Sequence, residues 1–453
     1  MYEKVEEIGK EGFSSKKHYK DNGDEYCIND IIDNDEQKEV IFMVLNKLKE
    51  WIEFPEKHKK NRKQKFKPLL LTVVGKGGSG KSFIIHVIAN IMQHLFKNID
   101  TMILGAPTGT AAHNILSRTI HSVFRLTTKV RDYTNFLSPK NKSRLLREFA
   151  RKLVMIFDER SMISQELMGL VDETLHLTLH NCIKKHCLPF GGIPIVIIIG
   201  DDHQLPSVVD KCGNGKGAIY YYDKAKRKQK TNTKRNLVEN LGMTRFLECA
   251  NKVIELKKNY RTEEGEQELQ EMLDKLREGN TLSEEQVNRL RRLHINNFSS
   301  NDMNTINEDA TYVYANKDNC AEHNAQCLSR IVTDENPLAI LKPKFSGSNS
   351  KKNLFKNEDN AKPALLCIDA KVCIRGKNFQ PQWGLFNGAV GKVLYIHFKE
   401  DENPNLGDLP EYIIVDFKGY KGPPWNENYP TVSVSLYYII YSSHFICTCF
   451  VTK

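Results

Sequence analysis

No C-x-x-C pair occurs among the eleven cysteines of this 453-residue chain, and its opening MYEKVEEIGK is too charged to be a secretory leader. These absences argue against a disulfide-stapled secreted domain and place the chain in a reducing compartment, nucleus or cytosol. His180, Cys182, His186 and Cys187 do crowd together, but their spacing fits no standard zinc finger and no metal site is expected there. No internal repeat is present. Charge of one sign is limited too: the net charge of +10 is modest for this length. The excess is bunched in KHKKNRKQKFK (57–67), KNKSRLLREFARK (140–152) and KAKRKQKTNTKR (224–235). Such runs suit phosphate backbones, although each also reads as a solvated loop or a nuclear address.

What is there describes an ordinary soluble globular chain, with 40% hydrophobic and 27% charged residues. The length leaves room for roughly two to four domains. Residues 1–30 are polar. DEQKEVIFMVLNKLKEWI then sets Val40, Val44, Leu48 and Trp51 or Ile52 on one helical face. LLLTVV (69–74) is a short β-rich run that leads into a glycine loop and the helical FIIHVIANIMQHLF. TMILGA, LVMIF and IPIVIIIG follow, each an apolar run closing on small or acidic residues, and VIEL (253–256) ends the block. Buried parallel strands alternating with helices give this rhythm, so residues 31–255 predict a doubly wound α/β domain.

Beyond it, Leu269, Met272, Leu273 and Leu276 fall at helical spacing before Gly279, and LSEEQV offers a capping box between Ser283 and Gln286. ATYVYANKDNCAEHNAQCL (310–328) reads as strand, turn and helix, the start of a second α/β domain over 256–364. KPKFSGSNSKKNLFKNEDNAK (342–362) reads as a loop. Residues 365–430 read as β-strands with glycine turns, a small barrel or sheet.

The chemistry concentrates in VVGKGGSGKSF, which fits G-x-x-x-x-G-K-[ST] between a strand and a helix. Backbone N–H groups of such a loop wrap a β-phosphate, Lys81 supplies charge to the β- and γ-phosphates, and Ser82 offers its hydroxyl to Mg²⁺. LVMIFDERSMIS supplies the acidic partner at a neighbouring strand end. Asp158 would hold Mg²⁺ through water and Glu159 would orient and deprotonate the attacking water. A kinase has no need of that second acid, because its acceptor is not water, so the pair favours hydrolysis. In PFGGIPIVIIIGDDHQLPSV, Gln204 follows a strand end, where an amide can report the γ-phosphate.

GKGGSGKS, APTGTAAHNI with RTIHSVF, DERSMIS, PFGGIPIVIIIGDDHQLPSV and KKNYRT, in this order, resemble the motifs of superfamily-one DNA helicases of the petite-integration-frequency (PIF-type) and RecD-like branch. The resemblance runs over roughly residues 31–430. It implies a P-loop NTPase with a RecA-like parallel-sheet domain, then a second, incomplete RecA-like domain carrying a small β-barrel insertion. It implies ATP and Mg²⁺ as cofactors, held by Gly75, Lys76, Gly77, Gly78, Ser79, Gly80, Lys81 and Ser82, with Asp158 and Ser82 on the metal. Gln37 resembles an adenine-contacting glutamine, and Arg261 an arginine that reaches the γ-phosphate from the second domain. Lys81, Glu159, Gln204 and Arg261 are then the catalytic set. Thr108 and His121 resemble residues of DNA-facing loops. The implied activity is ATP-driven 5′-to-3′ movement on single-stranded DNA and unwinding at duplex junctions, in repair, recombination and telomere maintenance. A nuclear monomer is expected, with mitochondria as a second compartment.

Asp202, Ser207 and Arg160 depart from the resembled motifs and read as peripheral substitutions. A larger departure lies after the barrel, where T-x-H-K-x-Q-G and S-R-A elements would follow and neither is present. The tail over 431–453 carries no Asp, Glu, Lys or Arg before Lys453, enough for a bilayer span by length, but its serines, threonines and tyrosines argue against one. The expectation is a chain truncated at its C-terminus, with a nucleic-acid-binding ATPase that cannot unwind as the alternative.

Overall fold

The structure, a computed structural model, describes residues 18–21, 24–27, 34–60, 66–97, 101–127, 133, 136–179, 188–207, 233–261, 266–299, 301–303, 312–341, 364–374, 380, 383–386, 388–400 and 408–423. The His/Cys group at 180–187, the polar stretch 342–362 and the tail 431–453 lie outside them, as do residues 61–65 and 224–232 of the basic runs. The chain divides into two compact units, 1–282 and 283–453.

The first unit is built on six parallel strands in the order β5-β4-β6-β7-β3-β8. They are β3 (Leu69–Gly75), β4 (Met102–Ala106), β5 (Arg118–Thr119), β6 (Val154–Phe157), β7 (Ile195–Gly200) and β8 (Val253–Leu256). A separate two-stranded hairpin, β1 (His18–Asp21) and β2 (Asp24–Cys27), precedes them. The apolar runs are continuous because both faces of the sheet are covered, and the period of two sorts them. Ile195, Ile197 and Ile199 of β7 join Leu69, Leu71 and Val73 of β3 in one core, packed against α1 (Asp35–Lys60) and α2 (Lys81–Phe96). Val196 and Ile198 point the other way, into a core with Met155, Phe157 and the helices α5 (Pro139–Phe149), α6 (Gln165–Leu179) and α7 (Lys234–Ala250).

Two short helices, α3 (Gly109–Asn114) and α4 (Ile120–Val123), follow β4 and β5. Past β8 the chain forms α8 (Gln267–Arg277), which ends before Gly279 at φ 76°. Of its apolar positions only Met272 is buried, and Leu269, Leu273 and Leu276 are exposed.

In the second unit, α9 (Glu284–Arg292) opens on the expected capping box of Ser283 and Gln286. Tyr312 to Tyr314 join no ladder, and α10 (Lys317–Ile331) follows, capped by Asn316. β9 (Ala339–Leu341) pairs with β10 (Ala364–Leu366). β11 (Lys371–Cys373), β12 (Val390–His397) and β13 (Tyr412–Phe417) form an antiparallel sheet whose apolar face shares a core with Leu328. Among the described residues, no helix is long and apolar enough to cross a membrane.

Candidate nucleotide site

The phosphate loop leaves β3 and enters α2 through Gly78 and Gly80, at φ 86° and 83°. That left-handed setting is cheap only for glycine. Space demands glycine as well: a Cβ on Gly78 would stand 2.5 Å from the Arg261 Cβ, and one on Gly80 would strike the Gln37 amide. Lys81 begins α2 and turns its ammonium back onto the loop, donating to the carbonyls of Gly75 at 2.9 Å and Lys76 at 2.8 Å. Burial lowers its pKa, and the charges of Asp201, Asp158 and Glu159 oppose that shift. Those two carbonyls hold the cation where a phosphate would otherwise neutralise it.

Asp158 and Glu159 leave β6 beside this lysine. Asp158 is buried, and its Oδ1 accepts the Glu159 N–H at 2.8 Å. Burial pushes its carboxyl up, and burial followed by Asp158 does the same to Glu159. Glu159 sits at φ 52°, outside the usual range for its type, and its Oε2 is buried without a partner. An orphaned carboxylate oxygen next to a cationic phosphate loop suits a water molecule that must lose a proton. The same donor set fits Mg²⁺: the Asp158 carboxylate and the half-buried Ser82 hydroxyl are the hard oxygen ligands it prefers.

Gln37 is buried on α1, with its N–H on the Asn34 Oδ1 at 2.8 Å and its amide nitrogen 3.4 Å from the Ser79 carbonyl. Its Oε1 has no partner, and neither does the buried Ser79 hydroxyl, so both polar atoms remain for a ligand. The segment after β8 lies on the loop: Tyr260 N–H donates to the Gly78 carbonyl at 2.8 Å, and Arg261 N–H to Asn259 Oδ1 at 2.9 Å. Arg261 therefore stands beside the phosphate loop within the first unit, with an exposed side chain. Gln204 is exposed on the turn after β7, its N–H on the Asp201 carbonyl at 3.2 Å.

Thr108 and His121 sit at the far edge of the sheet. The Thr108 hydroxyl oxygen caps α3 by accepting the Ala111 N–H at 3.2 Å. His121 lies on α4, and burial, opposed by the charge of Glu166, lowers its pKa and so favours the uncharged ring.

Sequence reasoning gave no role to the groups that tie this site together. Asp201, 2% exposed, accepts both arms of Arg277 from α8, at 2.8 and 2.6 Å. Burial alone would raise Asp201, but Arg277, the His203 N–H and Lys81 hold its carboxyl below the usual range. One turn earlier on α8, Asp274 reaches Lys76 of the phosphate loop at 2.6 Å. Arg160 and Asp202, two of the departures from the resembled motifs, form an ion pair at 2.9 Å. They are therefore one paired change in the site rather than two peripheral ones. The only available signal was the charge of each residue, which carries no partner.

A family model described as PIF1-like helicase matches residues 34–287. No curated protein matches the chain. Among solved structures, Pif1 helicase from Candida albicans is 22% identical at a TM-score of 0.55, over 85% of this chain and 75% of that one. A Bacteroides Pif1 helicase in complex with ADP-AlF3 and single-stranded DNA is 21% identical at 0.50, over 81% and 72%. These likenesses concern the fold. The match over more than half the sequence, on the residues that build the phosphate loop and its acidic pair, shows that the chain belongs to the PIF1-like helicase family.

Proposed function

We propose that this chain is an ATP-dependent DNA helicase that couples ATP hydrolysis to 5′-to-3′ movement along single-stranded DNA and to unwinding at duplex junctions. The observation that carries this reading is the partnerless Oε2 of Glu159, buried beside Asp158 and Lys81, because a motor needs an activated water and not only a bound nucleotide. Lys81 exchanges the loop carbonyls for phosphate oxygens, Glu159 accepts the proton of the attacking water, and Arg261 meets the charge that develops on the γ-phosphoryl group. Ser82 and Asp158 would hold Mg²⁺, which when bound would neutralise phosphate charge. Gln204 senses the γ-phosphate, and Gln37 contacts the base.

Single-stranded DNA as partner is supported by the Bacteroides relative bound to it, and Thr108 and His121 at one sheet edge supply uncharged donors for its backbone. The setting we infer is a nuclear monomer, with mitochondria as a second compartment, acting in repair, recombination and telomere maintenance. The test is ATP turnover by the full chain with and without single-stranded DNA, followed by strand separation on a duplex with a 5′ overhang. Stimulation of turnover by DNA is the expected result, and the strand-separation step distinguishes a working helicase from a nucleic-acid-binding ATPase that cannot unwind. Turnover indifferent to DNA would overturn the reading.

A further inference from the structure

A guanidinium taken out of water destabilises a fold unless it is paired. Arg160, directly after Glu159, is 5% exposed. Its Nε lies 2.9 Å from Asp202 Oδ1, a charge contact rather than an aligned hydrogen bond. Its guanidinium carbon stands 5.0 Å from the Phe246 ring centroid on α7, within cation–π range. Its stem crosses Gly200, where an added Cβ would come within 2.6 Å of both the Arg160 Cγ and its backbone nitrogen. The Ser207 N–H donates to the Ser161 carbonyl at 3.1 Å farther along. The turn that carries Glu159 and the turn that carries Gln204 are thus fastened side by side, by one backbone bond and one pair of opposite charges.

The fastening matters because the bonds that hold Glu159 locally, its N–H on Asp158 Oδ1 and its carbonyl on the Met162 N–H, are to its own turn, while its backbone is left-handed and its Oε2 has no hydrogen-bond partner. Such a conformation persists only where the surroundings impose it. We propose that Arg160 and Asp202 are a positioning pair for the hydrolytic step, locking the Glu159 turn to the Gln204 turn so that water activation and γ-phosphate sensing move as one body. The proposal rests on the reading of the site as an ATP hydrolase. A pair that only filled the core would affect folding and leave the chemistry of the folded protein intact.

The test uses the full chain with Arg160→Met, Asp202→Asn and Asp202→Glu, and with Arg160→Met and Asp202→Met combined, which removes both charges of the pair. Each is read by kcat and KM for ATP and by affinity for ADP alone and for ADP with aluminium fluoride, which mimics the transferred phosphoryl group without turnover. Arg160→Met and Asp202→Asn are expected to lower kcat by about tenfold or more, with KM and ADP affinity held within about threefold. Preference for ADP with aluminium fluoride over ADP should fall by a similar factor. Asp202→Glu should stay within about threefold of the parent, and the combined variant should cost no more than the worse single one, because coupled residues are not additive. Unchanged kcat in folded single variants, additive losses in the combined one, or equal loss of ADP affinity would each overturn the pair's role. A parent chain that binds ADP but shows no preference for the aluminium fluoride complex would strike the hydrolase reading itself, a result distinct from any in the variants.

Discussion

Lys81 and Glu159 feel each other's charge and should fail differently. In the proposed mechanism Lys81 meets phosphate charge in ground and transition states alike, whereas Glu159 acts only on the water. Lys81→Ala is expected to lose both nucleotide affinity and hydrolysis, while Glu159→Gln keeps affinity and loses about two to three orders of magnitude in kcat. Equal loss of affinity in both variants would remove this division of roles. Titration gives a second check. Burial pushes the carboxyls of Asp158 and Glu159 up, so the deprotonated pair that the proposed mechanism requires is lost at a higher pH on acidification than ordinary carboxylates would be. The acid limb of kcat/KM, which reports the free enzyme, should therefore lie above the ordinary glutamate value of about 4.3. A limb at or below that value would show that burial does not raise the carboxyl on which turnover depends.

Two helices carry predictions of their own. On α5 and the turn beyond it, Lys140, Arg144, Arg147 and Arg151 follow one another on one face, and all four are exposed. They span about 16 Å at helical rise. The one acid of α5, Glu148, is occupied by Arg118 at 2.8 Å and Arg125 at 3.2 Å and leaves that stripe positive. If the stripe follows a strand backbone, changing all four residues to Gln should flatten the slope of log affinity against log salt by about 3, with no change in base preference. An unchanged slope would mark the stripe as a solvated face. On α8, Arg277 is the only side chain that offers Asp201 two hydrogen bonds among the described residues. Arg277→Met would leave the buried Asp201 without its ion-pair partner and with only the His203 N–H of these hydrogen bonds, at a cost of about 3 kcal/mol in urea unfolding. Its Asp274 grips Lys76, so Asp274→Ala should loosen the phosphate loop, measurable as faster hydrogen exchange across residues 76–80.

At the scale of the molecule, the two units hold separate cores: the sheet with its two apolar layers in one, and the small antiparallel sheet with α10 in the other. The phosphate loop, the acidic pair, Arg261 and α8 all belong to the first. Residues 34–282 alone should therefore fold and bind ADP within about tenfold of the full chain, by direct titration. The full chain should unfold in two steps, only the first unit's step being raised by added ADP. One transition, or ADP protection of both steps, would mean that the units do not unfold independently.

Much of this was legible in the chain itself. The parallel sheet was readable because its strands are short, apolar and bounded by small or acidic residues, and the phosphate loop because glycine and lysine at fixed spacing serve one local geometry. The capping box at Ser283 needs only its own turn. What stayed hidden depends on side chains distant in the sequence. Nothing in KLREGN says that Arg277 reaches Asp201, 76 residues earlier, or that Arg160 and Asp202 belong together. The exposed leucines of α8 were likewise beyond reach, because helical spacing shows that a face exists and not what covers it. The sequence by itself determined where nucleotide chemistry sits and which local geometry holds it, since backbone rules act over a few residues. Only the tertiary structure decided how the loop, the acidic pair and the Gln204 turn are locked together, because charge pairing is set by distance in space and by burial, and both exist only once the sheet has formed.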